Sequence, residues 1–183
     1  MKKKYLETTK KLVAEGIFPN VMACPKIVKV TLNVGIGKYR KEDKKIESIL
    51  HDIEKIAGQK AVITKAKKSI AGFSIRKGEK VGIKVTLRKD RMYNFLWTLF
   101  NIALPRTRDF KGISLKNVDE RGNLTIGIKE HTVFPEIKGD EVKQLFGLEV
   151  CITINGDCKR EEAILLYKEL GFPLIFETTP IKK

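Results

Sequence analysis

Histidine, cysteine and long apolar runs are scarce in this chain, acids are far outnumbered by bases, and each of these removes or narrows a class of function. Only two histidines occur in 183 residues, His51 and His131. Neither has a spaced His or Cys partner, so no metal-ligand set can be assembled around them. Both read as surface residues, His51 on a charged helix and His131 in a loop. The three cysteines, Cys24, Cys151 and Cys158, are odd in number and contain no C-x-x-C, which argues against a disulfide framework and a zinc knuckle. Cys151 falls at an inward strand position, where a thiol acts as a small apolar side chain. No apolar run approaches the ~18 residues of a membrane span, and the start MKKKYLETTKK lacks a signal peptide's apolar segment. The expectation is a cytosolic protein with no membrane partner. Acids number 22 against 37 Lys and Arg, for a net charge of +15 and a pI near 9.7. Such an excess points to a polyanionic partner.

An apolar content of 42% and a mean hydropathy of -0.21 describe a globular protein. No linker divides the chain, so one domain over residues 1–176 with a loose tail at 177–183 is expected. The excess charge is concentrated. From Gln59 to Met92 there are eleven Lys or Arg against two acids, Glu79 and Asp90, a net +9. Within this stretch Ala61–Lys65 is short and strand-like. Val81, Ile83, Val85 and Leu87 alternate with Gly82, Lys84, Thr86 and Arg88, a half-buried strand with a cationic outer face. Between them Lys67–Lys80 cannot form a core, because Ile70, Phe73 and Ile75 are isolated among Lys, Ser, Gly and Arg. It reads as a basic loop held out by a hairpin, and such a projection is usually functional or disordered. A merely solvated face would mix both signs of charge.

Elsewhere the pattern alternates between helix and strand. Tyr5, Leu6, Thr9, Leu12 and Val13 predict a helix stopped by Gly16. Val28, Val30, Leu32 and Val34 predict a strand whose other face carries Lys29, Thr31 and Asn33. Ile46, Ile49, Leu50, Ile53 and Ile56 mark an amphipathic helix closed by Gly58. Asp90 is placed to cap a helix that buries Met92, Phe95, Leu96, Leu99 and Phe100, packs Tyr93 and Trp97, and ends before Pro105. Residues 106–122 read as a long surface loop exposing Phe110. Asn123–Ile128 and Leu148, Val150, Ile152, Ile154 predict two more strands, the second ending at Asn155-Gly156. Asp157 or Cys158 then precedes a helix with Ala163, Ile164, Tyr167 and Leu170 on one side. The fold class is α+β: a largely antiparallel sheet with helices packed on one face, a split βαββαβ core and terminal helices.

The other sheet face would display Lys29, Thr31, Asn33, Thr64, Lys84, Thr86 and Arg88. It lacks aromatics, so it is no stacking platform for single-stranded bases. Short hydrogen-bonding groups mixed with Lys suit the 2′-hydroxyls and phosphates of a folded RNA, although Thr and Lys also fill the wet side of ordinary sheets. Catalytic sets are absent from the pattern. Gly35-Ile36-Gly37 has Arg40 where a third glycine would stand, and Gly37-Lys38 is followed by Tyr39, so neither nucleotide-binding glycine motif is satisfied. Carboxylates such as Glu42, Asp43 and Glu47 sit beside lysines on helical faces and supply solubility rather than acid-base chemistry. An RNA-directed enzyme and a basic membrane-surface protein are the competing readings; the first lacks an acid, base or metal set, the second an exposed anchor.

Four segments carry a resemblance: KIVKVTLNVGIG from Lys26, GQKAVITKAKKSIAGFSIRKGEKVGIKVTLR from Gly58, LPRTRDFKGIS from Leu104 and GNLTIGIKEHTVFPEI from Gly122. In this order, over nearly the whole chain, they resemble the bacterial large-subunit ribosomal protein L five family; ETTPIKK after Phe176 has no match. The resemblance implies a non-enzymatic protein without cofactor or metal that attaches 5S rRNA to the large subunit in the central protuberance, among large-subunit rRNA and neighbouring ribosomal proteins. Asn33, Gln59, Thr64 and Thr86 would face 5S rRNA, with Lys29, Thr31, Lys65, Lys84 and Arg88 beside them. The hairpin loop, through Ser69, Gly72, Phe73, Ser74, Arg76, Lys77 and Gly78, would reach toward the P-site tRNA. Arg108, Asp109, Phe110, Lys111 and Gly112, with the irregular 135–146 segment, would face small-subunit head protein S thirteen in an intersubunit bridge.

Overall fold

Strand β1 (Ile27–Gly35) is the middle of a five-stranded sheet in a computed structural model that describes residues 1–39, 42–108, 110–137, 144–155 and 158–175. Its neighbours are β3 (Lys80–Leu87) and β6 (Leu148–Ile154). The edges are β2 (Val62–Lys65), paired to β3, and β5 (Leu124–Ile128), paired to β6. Every pairing is antiparallel. Alternation explains the burial: Val30, Leu32 and Val34 of β1, Ile83, Val85 and Leu87 of β3, and Val150, Ile152 and Ile154 of β6 all enter the core.

Helices α1 (Lys2–Ala14), α2 (Asp43–Ala57), α3 (Lys89–Thr98) and α5 (Arg160–Glu169) contribute their apolar stripes to the same core. α2 buries Ile46, Ile49, Ile53 and Ile56 and ends at Gly58, whose φ of 60° is the left-handed conformation that glycine adopts without a Cβ penalty. The fold class is therefore α+β, as the periodicities predict. A short parallel pair, β4 (Ile113–Ser114) with β7 (Leu174–Ile175), lies outside the main sheet.

Several local expectations are corrected. Val28 is 44% exposed and Ile27 takes the inward place, because the β1–β6 register shifts between Ile27 and Lys29. Asp90 makes no capping bond to α3; the cap position is Arg88, and Asp90 in the first turn accepts from Lys2 Nζ at 2.9 Å. The helix also does not end before Pro105. A π-helical turn over Leu99–Ala103 leads into α4 (Leu104–Arg106), so the proline enters after a widened turn, where its ring and missing N–H conflict less with the preceding carbonyls. Trp97 lies half-exposed, while Tyr93 is buried.

Residues 106–122 are more ordered than the loop expectation: β4 leads into a 3₁₀ turn at Leu115–Asn117, and Val118 bridges to Leu124. Phe110 is half-buried against the core instead of exposed. Cys151 points to the open face, paired laterally with Thr31 and Thr125, because the inward set of β6 is Leu148, Val150, Ile152 and Ile154. His131 is fully buried, stacked on Phe146 at 3.9 Å, rather than a surface residue. Gly156, Asp157, part of the 135–146 segment and the 177–183 tail lie outside the described residues.

Candidate nucleic-acid interface

The open face of the sheet has its side chains ordered by strand register. Thr86 of β3 stands opposite Thr31 of β1, and Cys151 and Thr125 continue that row across β6 and β5. In the next row Val62, Lys84, Asn33, Glu149 and Gly127 follow one another from β2 to β5. Thr64, Gly82 and Gly35 make a third, partial row. Sequence-predicted Lys29, Thr31, Asn33, Thr64, Lys84 and Thr86 thus share one surface. Arg88 extends it at the α3 cap position. Lys65 departs from this order, since the β2–β3 register shifts between Thr64 and Lys65 and sets Lys65 opposite Lys80.

Glycine has a steric role on this face. A Cβ on Gly82 would meet Thr64 Oγ1 at 2.8 Å and the Val34 carbonyl at 3.2 Å, so the backbone of β3 supports the threonine directly. Gly35, Gly127 and Gly147 line a recess of about 510 Å³ with Asn33 and Glu149, where a ligand can approach the main chain closely.

Gln59 joins the face through two bonds. Its Nε2 donates to the Thr86 carbonyl at 3.2 Å, and its Oε1 accepts from Arg91 Nη1 at 3.3 Å. Sequence reasoning counts Arg91 in the basic stretch without placing it at the site; its spacing three residues after Arg88, in the first turn of α3, is the available signal. It also misses Glu149, Thr125 and Thr153, although alternation in β5 and β6 makes them outward by elimination. Glu149 faces Asn33 directly, so one carboxylate sits on this otherwise neutral and cationic surface.

The basic hairpin has internal structure. Ala66 N–H donates to the Glu79 carbonyl at 2.8 Å, and Gly78 N–H to the Ala66 carbonyl at 2.9 Å. Farther out, Ile70 and Ile75 exchange both backbone bonds, at 2.9 and 3.1 Å. A 3₁₀ turn, Ala71–Phe73, and Ser74 with φ 51° close the tip. Lys77 N–H donates to Ser69 Oγ at 3.0 Å. The outcome is a ladder carrying exposed Lys67, Lys68, Arg76 and Lys77, with Phe73 70% exposed at its end. At its base Lys80 Nζ meets Asp43 Oδ1 of α2 at 2.6 Å.

The third predicted group lies elsewhere. Arg108 and Lys111 are exposed, Phe110 packs inward, and Asp109 lies outside the described residues. Gly112 has φ 109°, and a Cβ there would lie 2.6 Å from Ile175 Cγ1, so this backbone lies against β7. The adjoining Ile113 N–H donates to the Pro173 carbonyl at 2.8 Å. Arg108, Phe110, Lys111 and Gly112 border a cleft of about 390 Å³ beside β5.

Known family models and relatives match this chain over most of its length. The family model described as "Ribosomal protein L5" matches residues 20–76, and a second model, for the C-terminal part of the same ribosomal protein family, matches residues 80–174. The large ribosomal subunit protein uL5 of Halothermothrix orenii is 48% identical over 167 residues, 91% of this chain and 93% of the relative. The large ribosomal subunit protein uL5c of Paulinella chromatophora is 45% identical over 174 residues, 94% of this chain and 97% of the relative. With family models covering most of the sequence and relatives matching almost end to end, the chain belongs to the ribosomal protein L5 (uL5) family, whose members are structural, non-enzymatic components of the large ribosomal subunit.

Proposed function

We propose that this protein binds 5S rRNA through the open face of its sheet and holds it in the central protuberance of the cytoplasmic large subunit. The basic hairpin contacts the P-site tRNA, and the 108–112 segment contacts small-subunit head protein S thirteen. The observation that carries the first part is the aromatic-free face in which Asn33 and Lys84, then Thr31 and Thr86, stand side by side. Short amides and hydroxyls at fixed sheet spacing match 2′-hydroxyls and phosphates along a folded RNA, whereas bases are not offered a ring to stack on. Cations release counterions and provide affinity; the fixed shape provides selection.

The hairpin suits a different task. Its exposed cations and Phe73 sit on a narrow ladder away from the sheet face, a geometry for reaching a neighbouring RNA without reading sequence. The 108–112 segment presents Arg108 and Lys111 on a backbone held by β7, which supports its use as a docking edge.

The decisive experiment is a salt titration of binding to 5S rRNA and to an unrelated folded RNA of equal length. Asn33→Ala and Thr86→Ala are run in parallel. The expected result is a preference for 5S rRNA that persists as salt rises and weakens roughly three- to tenfold in each variant. Equal binding to both RNAs with one steep common slope would leave only charge and remove the sheet face as the selecting surface.

A further inference from the structure

We propose that a second RNA-contacting site lies beside the sheet, in a cleft between α1, the β1 bulge and the start of α3. It takes one unstacked nucleotide, base inward and phosphates on the rim. The proposal rests on the RNA-binding reading above and adds to it a site of defined ligand chemistry.

The cleft measures about 480 Å³, within the range of roughly 300–1,000 Å³ typical of small-ligand sites. Two exposed apolar side chains face it, Leu6 from α1 and Val28 from the bulge. Val28 is there because the register shift between Ile27 and Lys29 expels it from the core, leaving apolar surface in water beside the nucleic-acid face. Behind them lie Tyr5 and Tyr93, with ring centroids 6.4 Å apart. Both phenols are neutral at physiological pH as ordinary tyrosines are, and the Tyr5 hydroxyl is already engaged, donating to the Pro25 carbonyl at 3.1 Å. The bottom of the cleft therefore suits an uncharged ring system.

The rim is cationic. Lys2, Lys26, Arg88 and Lys89 surround the opening against one acid, Asp90, which Lys2 engages at 2.9 Å. An apolar interior ringed by positive charge is complementary to a nucleotide, whose charge lies outside its base. Arg88 belongs both to this rim and to the end of the open face, so an RNA strand lying on the sheet can deliver a nucleotide into the cleft without leaving the protein. That continuity favours RNA over an acidic peptide.

The test is ultraviolet cross-linking of the full chain to 5S rRNA with peptide mapping, alongside affinity measurements. The wild-type protein should cross-link through the peptides holding Tyr5 or Tyr93. Val28→Phe and, from the opposite wall, Leu6→Phe fill the cleft. Each should lose the cross-link and weaken binding about tenfold with an unchanged salt slope. The double variant Lys26→Gln, Lys89→Gln should keep the apolar pocket but lower the salt slope by about two. Thermal midpoints show which variants fold. Unchanged cross-links and affinity in both filled variants overturn the cleft while leaving the RNA-binding reading intact. Loss of the wild-type cross-link to an added acidic peptide, with RNA still bound to the sheet, overturns it in favour of a peptide site. No 5S rRNA binding by the wild-type chain overturns both readings.

Discussion

Beneath Phe146 the imidazole of His131 folds without solvent, 3.7 Å from Asp52 Oδ2 and with neither ring nitrogen hydrogen-bonded among the described residues. Burial lowers its pKa below the usual 6.5. The Asp52 and Glu130 carboxylates and the Phe146 backbone contact oppose that shift without cancelling it. The unfolded chain then takes up the proton first. Stability is intact above 6.5 and declines as pH falls through and below that value. Urea midpoints at about pH 7.5 and about 5.5 should separate in the wild type and lie closer in His131→Phe, which keeps an aromatic stack but cannot titrate. An equal separation in both proteins removes His131 as the cause. A second buried group acts through one bond: Tyr167 Oη donates to the Gly122 carbonyl at 2.8 Å. Tyr167→Phe should cost about 1 kcal/mol in chemical denaturation, and no loss would mean that the carbonyl finds another donor. The burial of His131 is hidden from sequence reasoning because its neighbours Glu130 and Thr132 are polar and its stacking partner is distant along the chain. Cys151 is legible in principle, since the even-numbered residues of β6 are the apolar ones.

At the scale of elements, period carries the information. The inward residues of β3 and α2 follow from spacing alone, because a residue's face is fixed locally in a strand or helix. The β1 bulge, the π-helical turn before Pro105 and the Ile70–Ile75 bridge depend on pairing between separated residues, which no local period encodes. The hairpin shows the consequence. Composition describes Lys67–Lys80 as isolated apolar residues among cations, yet Ile70 and Ile75 meet across the ladder and close it. Its cations are exposed and lie outside the sheet's open face, so charge removal there should separate two functions. Replacing Lys67, Lys68, Arg76 and Lys77 by Ala should leave the thermal midpoint and 5S rRNA affinity within about twofold, while tRNA binding to reconstituted subunits loses about three in its salt slope. An equal loss of 5S rRNA affinity would merge the two surfaces into one. Gly82→Ala probes the sheet instead: its Cβ would press on Thr64 Oγ1 and the Val34 carbonyl, so 5S rRNA affinity should fall while tRNA contact persists.

For the molecule as a whole, strand order matters more than the boundary between the two matched family segments, 20–76 and 80–174. The first segment contains β1 and β2, but these strands do not touch: β3, from the second segment, lies between them. β1 is flanked on its other side by β6, also from the second segment. A chain cut near residue 79 would therefore leave β1 and β2 with no strand partner, and would leave β3 without either neighbour. Each piece would expose backbone donors and acceptors that the sheet satisfies, together with the apolar face of β1 or β3. Fragments 1–79 and 80–183 should each lack cooperative thermal unfolding and dispersed amide resonances, and both properties should return when the two are expressed together. The same interleaving brings Asn33 of one segment beside Lys84 of the other. Under the proposed function, RNA selection belongs to the assembled sheet, and 5S rRNA preference should appear only in the paired fragments. Cooperative folding of 1–79 alone, or selective RNA binding by either piece, would show that strand order does not couple the two segments.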